Sequence, residues 1–277
     1  MSPTSVAAMP LLSGIGLCLG YHGHPVVDSA HVTLRPGRVT ALVGPNGSGK
    51  STLLRALARL HKPDSGELLL PDGNAHELPA KAYARKVTML AQSRATPSGV
   101  CVRDVVGYGR HPHRARFSGA DANGPAAVAH AMDVTGVTAM ADRPVDELSG
   151  GELQRVWLAT CLAQQTSVLL LDEPTTFLDL RYQVELLDLV RELADAHNVA
   201  IGVVLHDLNQ AAAIADEVVL LQSGRVRATG SPVDVLTEDA LTETYGIRIE
   251  VSVDPDTGHV TTRPVGRHTT RLLPVAA

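Results

Sequence analysis

Length, composition and charge narrow the classes of protein to which this chain can belong. Its 277 residues are enough to bury a sizeable core in one large domain or two smaller ones. Hydrophobic residues make up 44% and charged residues 19% of the chain, which is typical of a globular protein, and a formal net charge of −5 gives no general electrostatic reason to bind nucleic acid.

Cysteine usage and hydropathy give expectations about location. Cys18, Cys101 and Cys161 are odd in number and widely spaced, so they predict neither a disulfide framework nor a paired zinc motif, and they favour a reducing cytosol. Residues 1–20 have no Lys or Arg before their apolar part and are interrupted by Pro and Gly, which argues against a signal peptide. No run approaches the roughly 18 apolar residues that would span a bilayer, so we expect any membrane role to depend on a partner.

Short alternating segments from Leu11 to Arg35 predict antiparallel strands, with turns at residues 21–24 and 35–37. Tyr21 ends the first of these segments in a chain that is only 3% aromatic. Its ring is suited to stack on an adenine, and the alternative is an ordinary half-buried turn residue. The spacing alone does not decide between them.

A glycine-rich segment lies between a predicted strand and a predicted helix. Val39 to Val43 is an apolar run typical of a strand buried on both faces, and a helix should follow because leucines recur at helical spacing at Leu53, Leu54, Leu57 and Leu60. The segment between them fits G-x-x-x-x-G-K-[ST], a loop whose backbone N–H groups surround phosphate oxygens. In this pattern the lysine contacts the β- and γ-phosphates and the serine hydroxyl binds Mg²⁺. The predicted phosphate-binding residues are Gly44, Pro45, Asn46, Gly47, Ser48, Gly49, Lys50, Ser51 and Thr52.

The next predicted strand, Val87 to Ala91, ends at Gln92. An amide at a strand end beside a phosphate-binding loop is able to reach a metal or an attacking water, and the alternative is a surface residue that begins a loop. Residues 93–142 are richer in Ala, Gly and Arg, and they predict an inserted, mostly helical subdomain with helices at residues 100–108 and 125–134. The histidines at 111 and 113 lack further ligands in the sequence, so we expect a loop there and no metal site.

Residues 148–155 begin another apolar-periodic helix. Ser149 and Glu152 fit the S-x-x-E capping box, an ordinary structural motif. Gly150 and Gly151 are nevertheless costly in the first turn, by about 1 kcal/mol each relative to Ala. Bare backbone at a helix N-terminus suits the approach of an anion.

An all-apolar strand, residues 168–171, leads into Asp172 and Glu173. These carboxylates must lie at the carboxyl edge of a buried sheet, where parallel α/β proteins bind ligands. There Asp172 suits a Mg²⁺ shell and Glu173 suits a base that deprotonates the attacking water. The alternative is a pair of carboxylates that cap the following turn.

The rest of the chain continues the α/β pattern. Residues 179–196 predict a helix, and the strand at 199–205 ends at His206, which is either structural or hydrogen-bonded to the γ-phosphate. A hairpin is predicted around residues 222–224. After Gly246 the chain has short β-like pieces that the pattern does not assign.

Together these segments resemble the ATP-binding subunit of ABC transporters over nearly all of residues 11–248. Residues 44–51 match the Walker A motif and residues 168–172 match Walker B. Residues 148–152 match the LSGGQ signature with Glu152 in place of the final Gln. The resemblance also assigns roles by position to Tyr21 (A-loop), Gln92 (Q-loop), Asp179 (the end of the D-loop at 176–179) and His206 (H-loop).

Finer features of the sequence are most similar to the importers of iron-siderophore complexes, whose relatives carry haem or cobalamin. These features lie in residues 109–113, 172–179 and 206–211. The D-loop has Thr176 and Phe177 where many relatives have Ser-Ala, which we interpret as a feature of the subgroup.

The fold that the resemblance implies is α/β, a P-loop NTPase (RecA-like) core with an N-terminal antiparallel β subdomain and an inserted helical subdomain. The corresponding division is a tail at 1–10, the first part of the core at 11–93, the helical subdomain at 94–165, the second part of the core at 166–250 and a tail at 251–277. The role of that last segment is left open.

The resemblance implies ATP and Mg²⁺ as cofactors. The implied metal ligands are Ser51, Gln92 and Asp172, and the implied catalytic residues are Glu173, His206 and Gln92. Two copies are expected to pair head to tail, with ATP held between the phosphate-binding loop of one chain and residues 149–151 of the other. Closure of the pair would pull on permease subunits at the cytoplasmic face of the membrane, docked near Gln92 and the helical insertion, with a substrate-binding protein as an indirect partner.

Other classes of P-loop protein fit less well. A soluble ABC ATPase that acts on DNA would separate Walker A from the signature by a long coiled coil, whereas the interval between Lys50 and Ser149 has no sustained heptads. Members that act on ribosomes usually carry two cassettes, and this chain has one. A GTPase would require an N-K-x-D guanine motif, which is absent from the sequence.

Overall fold

A computed structural model describes residues 9–92, 95–114 and 121–266. The strands are β1 (Leu12–Tyr21), β2 (His24–Leu34), β3 (Val39–Val43), β4 (Ser65–Leu70), β5 (Gly73–Asn74), β6 (Val87–Leu90), β7 (Val168–Asp172), β8 (Ala200–Val204), β9 (Glu217–Gln222), β10 (Arg225–Gly230), β11 (Ile249–Val253) and β12 (Val260–Pro264). The α-helices are α1 (Lys50–Leu57), α2 (Ala80–Ala84), α3 (Val102–Tyr108), α4 (Gly124–Val134), α5 (Gly150–Ala163), α6 (Leu180–Asp195), α7 (Leu208–Ile214), α8 (Pro232–Val235) and α9 (Glu238–Tyr245).

The central sheet has the strand order β10-β9-β3-β8-β7-β6, with β10 antiparallel and the other described pairs parallel. Strands β3, β7 and β8 are buried along their whole length, as their continuous apolar runs require in a sheet covered on both faces. Parallel strands bring their carboxyl ends to one edge. That edge therefore carries the residues that follow β3, β6, β7 and β8, which are the phosphate-binding loop, Gln92, Glu173 and His206.

The N-terminal antiparallel sheet, in the order β2-β1-β4-β5, packs on α1 and shares a core with it. Leu53, Leu54 and Leu57 are fully buried there, as predicted. The prediction that Leu60 belongs to the same helix face was wrong, because α1 ends at Leu57 and Leu60 is 70% exposed. The chain turns away at Arg59, which has a φ of 58° and donates hydrogen bonds to the carbonyl oxygens of Ala75 and Leu78, each at 2.9 Å.

The insertion is helical, as predicted, and has a small core of its own. Helices α3, α4 and α5 pack together through Val, Ala and Met side chains, among them Val105, Ala131 and Val156. The expected boundary at residues 93 and 94 lies outside the described residues.

The C-terminal segment contains elements that the sequence pattern did not predict. Helices α8 and α9 follow β10, and β11 pairs with β12 in an antiparallel hairpin. This hairpin is attached to α7, because the Thr262 N–H donates to Asn209 Oδ1 at 2.7 Å and Asn209 Nδ2 donates to the Thr262 carbonyl at 3.2 Å. The expected boundary at residue 250 therefore falls inside a strand, and residues 251–266 are part of the packed structure. Residues 1–8 and 267–277 of the expected tails lie outside the described residues.

Membrane-spanning helices are excluded from the described ranges by helix length and hydropathy. Among residues 9–92, 95–114 and 121–266, no helix combines the length and apolar character that crossing a membrane requires.

Candidate nucleotide-binding site

The glycine-rich loop connects β3 to α1 directly, and two of its glycines are required by close contacts. Gly44 has a φ of 144°, and a Cβ there would lie 2.1 Å from the Leu221 carbonyl oxygen. Gly49 has a φ of 99°, and its Cβ would lie 2.7 Å from Val27 Cγ2. Any other residue at these positions would push the loop away from the sheets that support it. The loop is therefore pressed between the two sheets at the N-terminus of α1.

Lys50 is only 5% exposed and its ammonium group lies on the inner side of the loop. The Nζ atom donates to the carbonyl oxygens of Gly44 at 2.8 Å and Pro45 at 2.9 Å. Burial lowers the pKa of Lys50, and the carboxylates of Glu173 and Asp172 oppose this shift. The loop thus presents a buried cation where the N–H groups of the helix start also point, an arrangement suited to phosphate groups.

A cleft of about 150 Å³ opens in front of the loop. It is lined by Val26, Asn46, Gly47, Gly49, Lys50, Ser51, Thr52, Glu173 and His206. The structure therefore brings most of the predicted loop residues together with two of the predicted catalytic side chains. Gly44, Pro45 and Ser48 are not among the lining residues: the first two bond to Lys50 through their carbonyl oxygens, and Ser48 is buried.

Asp172 lies at the end of β7 and is 1% exposed. Neither carboxylate oxygen has a partner with hydrogen-bond geometry among the described residues, although the Ser51 hydroxyl and Arg55 Nη2, 3.7 Å from Oδ2, are close. Burial raises the pKa of Asp172, and Ser51 and Arg55 oppose this shift. A buried carboxylate without a hydrogen-bond partner, beside a serine hydroxyl and a phosphate loop, has the chemistry of a Mg²⁺ site. The residues present fit that ion.

Glu173 is the centre of a three-residue cluster. Its Oε1 lies 2.6 Å from His206 Nε2, and its Oε2 accepts a hydrogen bond from Gln92 Nε2. Gln92, which the sequence pattern alone did not distinguish from a surface residue, therefore points at the candidate base. The backbone of Glu173 has a φ of 52°, an unfavourable conformation for a residue with a Cβ. Such strain is common at functional sites, and here it turns the side chain toward the cleft.

Tyr21 stands at the end of β1, paired with His24 of β2. Two residues further along β2, Val26 lines the cleft in front of the phosphate-binding loop. The Tyr21 side chain is 41% exposed, and its ring centroid lies 4.6 Å from that of His61. One side of the ring is thus supported, while the residue stays open to solvent near the loop.

The signature residues lie at the start of α5. Ser149 and Glu152 form the predicted capping box, in which Glu152 Oε2 accepts the Ser149 N–H at 2.8 Å. The hydrogen bond from the Ser149 N–H is the largest of the interactions that lower the pKa of Glu152. Gly150 has open space where a Cβ would be, whereas a Cβ on Gly151 would lie 2.6 Å from the Tyr182 ring. Gly151 therefore also has a packing reason to be glycine, whereas Gly150 has none, and the expectation that an anion approaches this backbone stays a prediction for both.

Asp179 is the N-cap of α6, and its Oδ1 accepts the Tyr182 N–H at 3.1 Å. Among the residues that the structure describes, those lining the cleft at the phosphate-binding loop include neither Asp179 nor residues 149–152. The chain thus brings the Walker residues, Gln92, Glu173 and His206 together and leaves the signature residues outside that cluster.

Three site-supporting residues escaped sequence reasoning. Gln154, Gln183 and Gln210 come from three different helices and hydrogen-bond to residues 174–178, between Glu173 and Asp179. They share no spacing in the sequence, so no pattern in it indicates that they meet. The histidines at 111 and 113, expected in a loop, lie in a short 3-10 helix, and His113 Nε2 is 2.7 Å from the Gln164 carbonyl oxygen.

Comparison with known proteins identifies the family. Residues 27–176 match the family model described as ABC transporter. The chain belongs to the ABC transporter family. It is therefore an ATP-hydrolysing cassette, with the α/β P-loop fold expected from its motifs.

Curated relatives are similar to this ABC cassette over most of its length. The ferric enterobactin transport ATP-binding protein FepC of Escherichia coli (strain K12) is 41% identical over 92% of this chain and 94% of its own. The hemin import ATP-binding protein HmuV of Rhodococcus jostii (strain RHA1) is 44% identical over 88% of this chain and 82% of its own. Among solved structures, an inward-facing transporter described as of the metal-chelate type superposes with a TM-score of 0.81 at 27% identity, over 94% of this chain and 99% of the other.

Proposed function

We propose that this cassette powers the uptake of an iron-siderophore complex through a membrane permease. The observation that carries the energy-coupling part of the proposal is the cluster at the edge of the central sheet, where Glu173, Gln92 and His206 meet beside the phosphate-binding loop. The cargo class is supported by the ferric enterobactin transport relative, whereas the hemin import relative supports the haem alternative. The alternative cargoes are haem and cobalamin, and a soluble ABC ATPase without a transport role is the remaining alternative.

In the proposed nucleotide site, residues 44–52 bind the phosphates of ATP and Tyr21 stacks on the adenine. The ammonium of Lys50, now held by the Gly44 and Pro45 carbonyl oxygens, would exchange these acceptors for phosphate oxygens. Because the pKa of Lys50 is lowered by burial, contact with anionic phosphates would favour its charged form. The binding of ATP and the protonation of Lys50 would therefore favour each other.

Ser51, Asp172 and Gln92 are the proposed Mg²⁺ ligands. Two of them, Ser51 and Asp172, are adjacent in the structure, and Asp172 has no hydrogen-bond partner in the described chain that a cation would have to displace. When bound, Mg²⁺ supplies charge neutralisation to the phosphate oxygens. Gln92 reaches this region from the neighbouring strand end, where its amide now contacts Glu173.

Glu173 is the proposed general base, which accepts a proton from the attacking water. Its carboxylate is held on one side by His206 and on the other by Gln92, so both oxygens are fixed at the mouth of the cleft. The His206 side chain is 44% exposed, and we propose that it donates a hydrogen bond to the γ-phosphate once ATP is bound. A change in the Gln92 contacts when ATP binds or is hydrolysed would then alter the position of the helical insertion that follows Gln92 in the chain.

The site of one chain is incomplete because the signature residues lie outside its cleft. We propose that a second copy pairs head to tail and contributes Ser149, Gly150, Gly151 and Glu152, together with Asp179, to each ATP. Ser149 and Gly150 are both exposed, and nothing lies within 4 Å of where a Cβ on Gly150 would be. ATP would then favour the closed pair, and hydrolysis would reopen it.

The proposed partners are a permease, docked near Gln92 and the helical insertion, and a substrate-binding protein that acts through the permease. The cassette would lie at the cytoplasmic face of the cell membrane. The proposed division is a core at residues 11–93 and 166–266, which includes the C-terminal hairpin, with the helical subdomain at 94–165. No nucleic acid is proposed as a partner.

The proposed cargo is tested by uptake in cells whose own copy is replaced by the Glu173→Gln variant. Loss of labelled iron-siderophore uptake, with haem and cobalamin uptake retained, is the expected result. Loss of haem or cobalamin uptake alone would identify that cargo instead. Unchanged uptake of all three, combined with co-purification with ribosomes rather than with a detergent-solubilised permease, would contradict a transport role.

A further inference from the structure

The loop that follows the candidate base is held by three glutamine side chains from three helices. Residues 174–178 lie between Glu173 and the N-cap of α6, and we call Gln154, Gln183 and Gln210 the glutamine clamp. From α5, Gln154 Nε2 donates to the Pro174 carbonyl oxygen at 3.0 Å. From α6, Gln183 Nε2 donates to the Leu178 carbonyl oxygen at 2.9 Å. The two ends of the loop are thus attached to two different helices.

The third glutamine, Gln210, connects Thr175 of the loop to the Gln183 side chain. From α7, Gln210 Oε1 accepts the hydroxyl of Thr175 at 2.9 Å, and Gln210 Nε2 donates to Gln183 Oε1 at 2.8 Å. Gln183 and Gln210 therefore use both the carbonyl and the amino group of their side chains. Thr175 is 8% exposed, so loss of its acceptor would leave a buried hydroxyl unpaired.

The loop needs this restraint because its backbone is unfavourable at two positions. Glu173 has a φ of 52° and Phe177 a φ of 66°, both in the left-handed region although neither residue is glycine. The Phe177 side chain is 97% exposed, so its packing does not hold the conformation. Between these two residues, Gln154 and Gln210 bond to Pro174 and Thr175, and the Thr176 N–H and hydroxyl bond back to the Glu173 carbonyl oxygen and Oε2 at 3.3 and 3.5 Å.

The helices of the clamp begin at other parts of the candidate site. Helix α5 begins directly after Ser149 of the signature, and α7 begins two residues after His206. The clamp thus ties the signature helix, the helix behind the H-loop and the D-loop helix to the segment that carries Glu173. A displacement of any one of these helices would change the position of the loop.

We propose that Gln154, Gln183 and Gln210 are positioning residues for ATP hydrolysis. They hold residues 174–178 in the conformation that keeps the Glu173 carboxylate at the cleft and Asp179 at the start of α6. The inference rests on the proposed role of Glu173 as the base. ATP turnover would then depend on these three glutamines although they do not face the nucleotide.

The experiment compares two isosteric substitutions in the full-length protein. Thr175→Val removes the hydroxyl that Gln210 accepts, and Thr242→Val removes a hydroxyl of α9 that accepts the Ile249 N–H at 3.1 Å, away from the loop. Thr175→Val should lower kcat for ATP by about three- to tenfold, the effect of one hydrogen bond, and leave KM for ATP within about twofold. Thr242→Val should leave both constants unchanged, and Thr175→Ser, which keeps the hydroxyl, should restore most of kcat.

Two results would overturn the clamp. One is a kcat for Thr175→Val equal to that of the unmodified protein, and the other is an equal loss in Thr175→Val and Thr242→Val that follows their thermal unfolding. Gln210→Leu serves as the second variant if Thr175→Val does not fold, with the same split between kcat and KM expected. Glu173→Gln is measured in parallel: if it keeps near-normal turnover, the proposed base is wrong, whereas a strong loss in Glu173→Gln with none in the clamp variants refutes the clamp alone.

Discussion

The two adjacent glycines of the signature should respond in opposite ways to the same substitution. In Gly151→Ala, the new Cβ would lie 2.6 to 2.8 Å from three atoms of the Tyr182 ring, closer than any normal carbon contact. In Gly150→Ala, the new Cβ would meet no atom within 4 Å. Because both glycines lie in the first turn of α5, the helix propensity that is gained is similar for the two variants.

The magnitudes follow from two opposing effects. Replacing Gly by Ala in a helix is favourable by about 1 kcal/mol, and we expect up to that gain in the free energy of unfolding for Gly150→Ala. Overpacking of the kind that Gly151→Ala introduces costs about 1–3 kcal/mol, so this variant should be less stable than Gly150→Ala by that amount. Tyr182 is unable to withdraw freely, because the Arg155 guanidinium lies over its ring at 5.9 Å and Arg155 is paired with Glu185.

Chemical denaturation of the nucleotide-free variants measures these differences, and the double variant Gly151→Ala/Tyr182→Leu serves as the control. If the ring is the cause, removing it should return most of the stability that Gly151→Ala loses. Equal stability of the two single variants, or a double variant no better than Gly151→Ala, would refute the reasoning. Gly150→Ala should then show its effect in function, with weaker ATP-dependent dimerisation, because Gly150 is the exposed one of the two glycines.

Three further predictions concern the catalytic cluster, the metal site and the helix end. Glu173→Gln should keep ATP binding, lose hydrolysis by about 10² to 10⁴ and dimerise with ATP in size-exclusion chromatography, and a strict monomer at saturating ATP would contradict the paired site. Burial raises the pKa of Asp172, so ionisation of this carboxyl group opposes folding above its ordinary pKa of 3.8. Asp172→Asn should therefore raise the thermal stability of the nucleotide-free protein at pH 7. That gain should disappear as the pH falls below 3.8. A gain that persists at low pH would contradict this cause. Leu57→Ala should lower the free energy of unfolding by about 2–5 kcal/mol and Leu60→Ala by less than about 0.5 kcal/mol, since of the two only Leu57 is buried. Similar losses of stability for the two variants in chemical denaturation would show that Leu60 packs on the helix face after all.

Errors in the sequence-based reading came from places where local pattern and tertiary contact differ. Leu60 continued the helical spacing, yet the chain leaves the helix at Leu57 because Arg59 finds carbonyl partners in the segment after β5. Gly151 was explained by an approaching anion alone, yet the Tyr182 ring also leaves no room for a Cβ there. Each of these contacts joins residues far apart in the chain, and periodicity within one element contains no information about them.

The sequence by itself determined the phosphate-binding loop and the placement of Asp172 and Glu173 at a strand end, because continuous apolar runs specify buried parallel strands whose carboxyl ends share one edge. The fold class and the roles expected for Tyr21, Gln92 and His206 followed from the resemblance of the motifs to the ABC family. Only the tertiary structure decided how the strand ends meet: that Gln92 and His206 both contact Glu173, that Asp172 is buried without a hydrogen-bond partner in the described chain, and that the signature lies outside the cleft. The glutamine clamp and the attachment of the C-terminal hairpin to α7 are of the same kind. They depend on side-chain hydrogen bonds between separate elements, which form only once the core has placed those elements side by side.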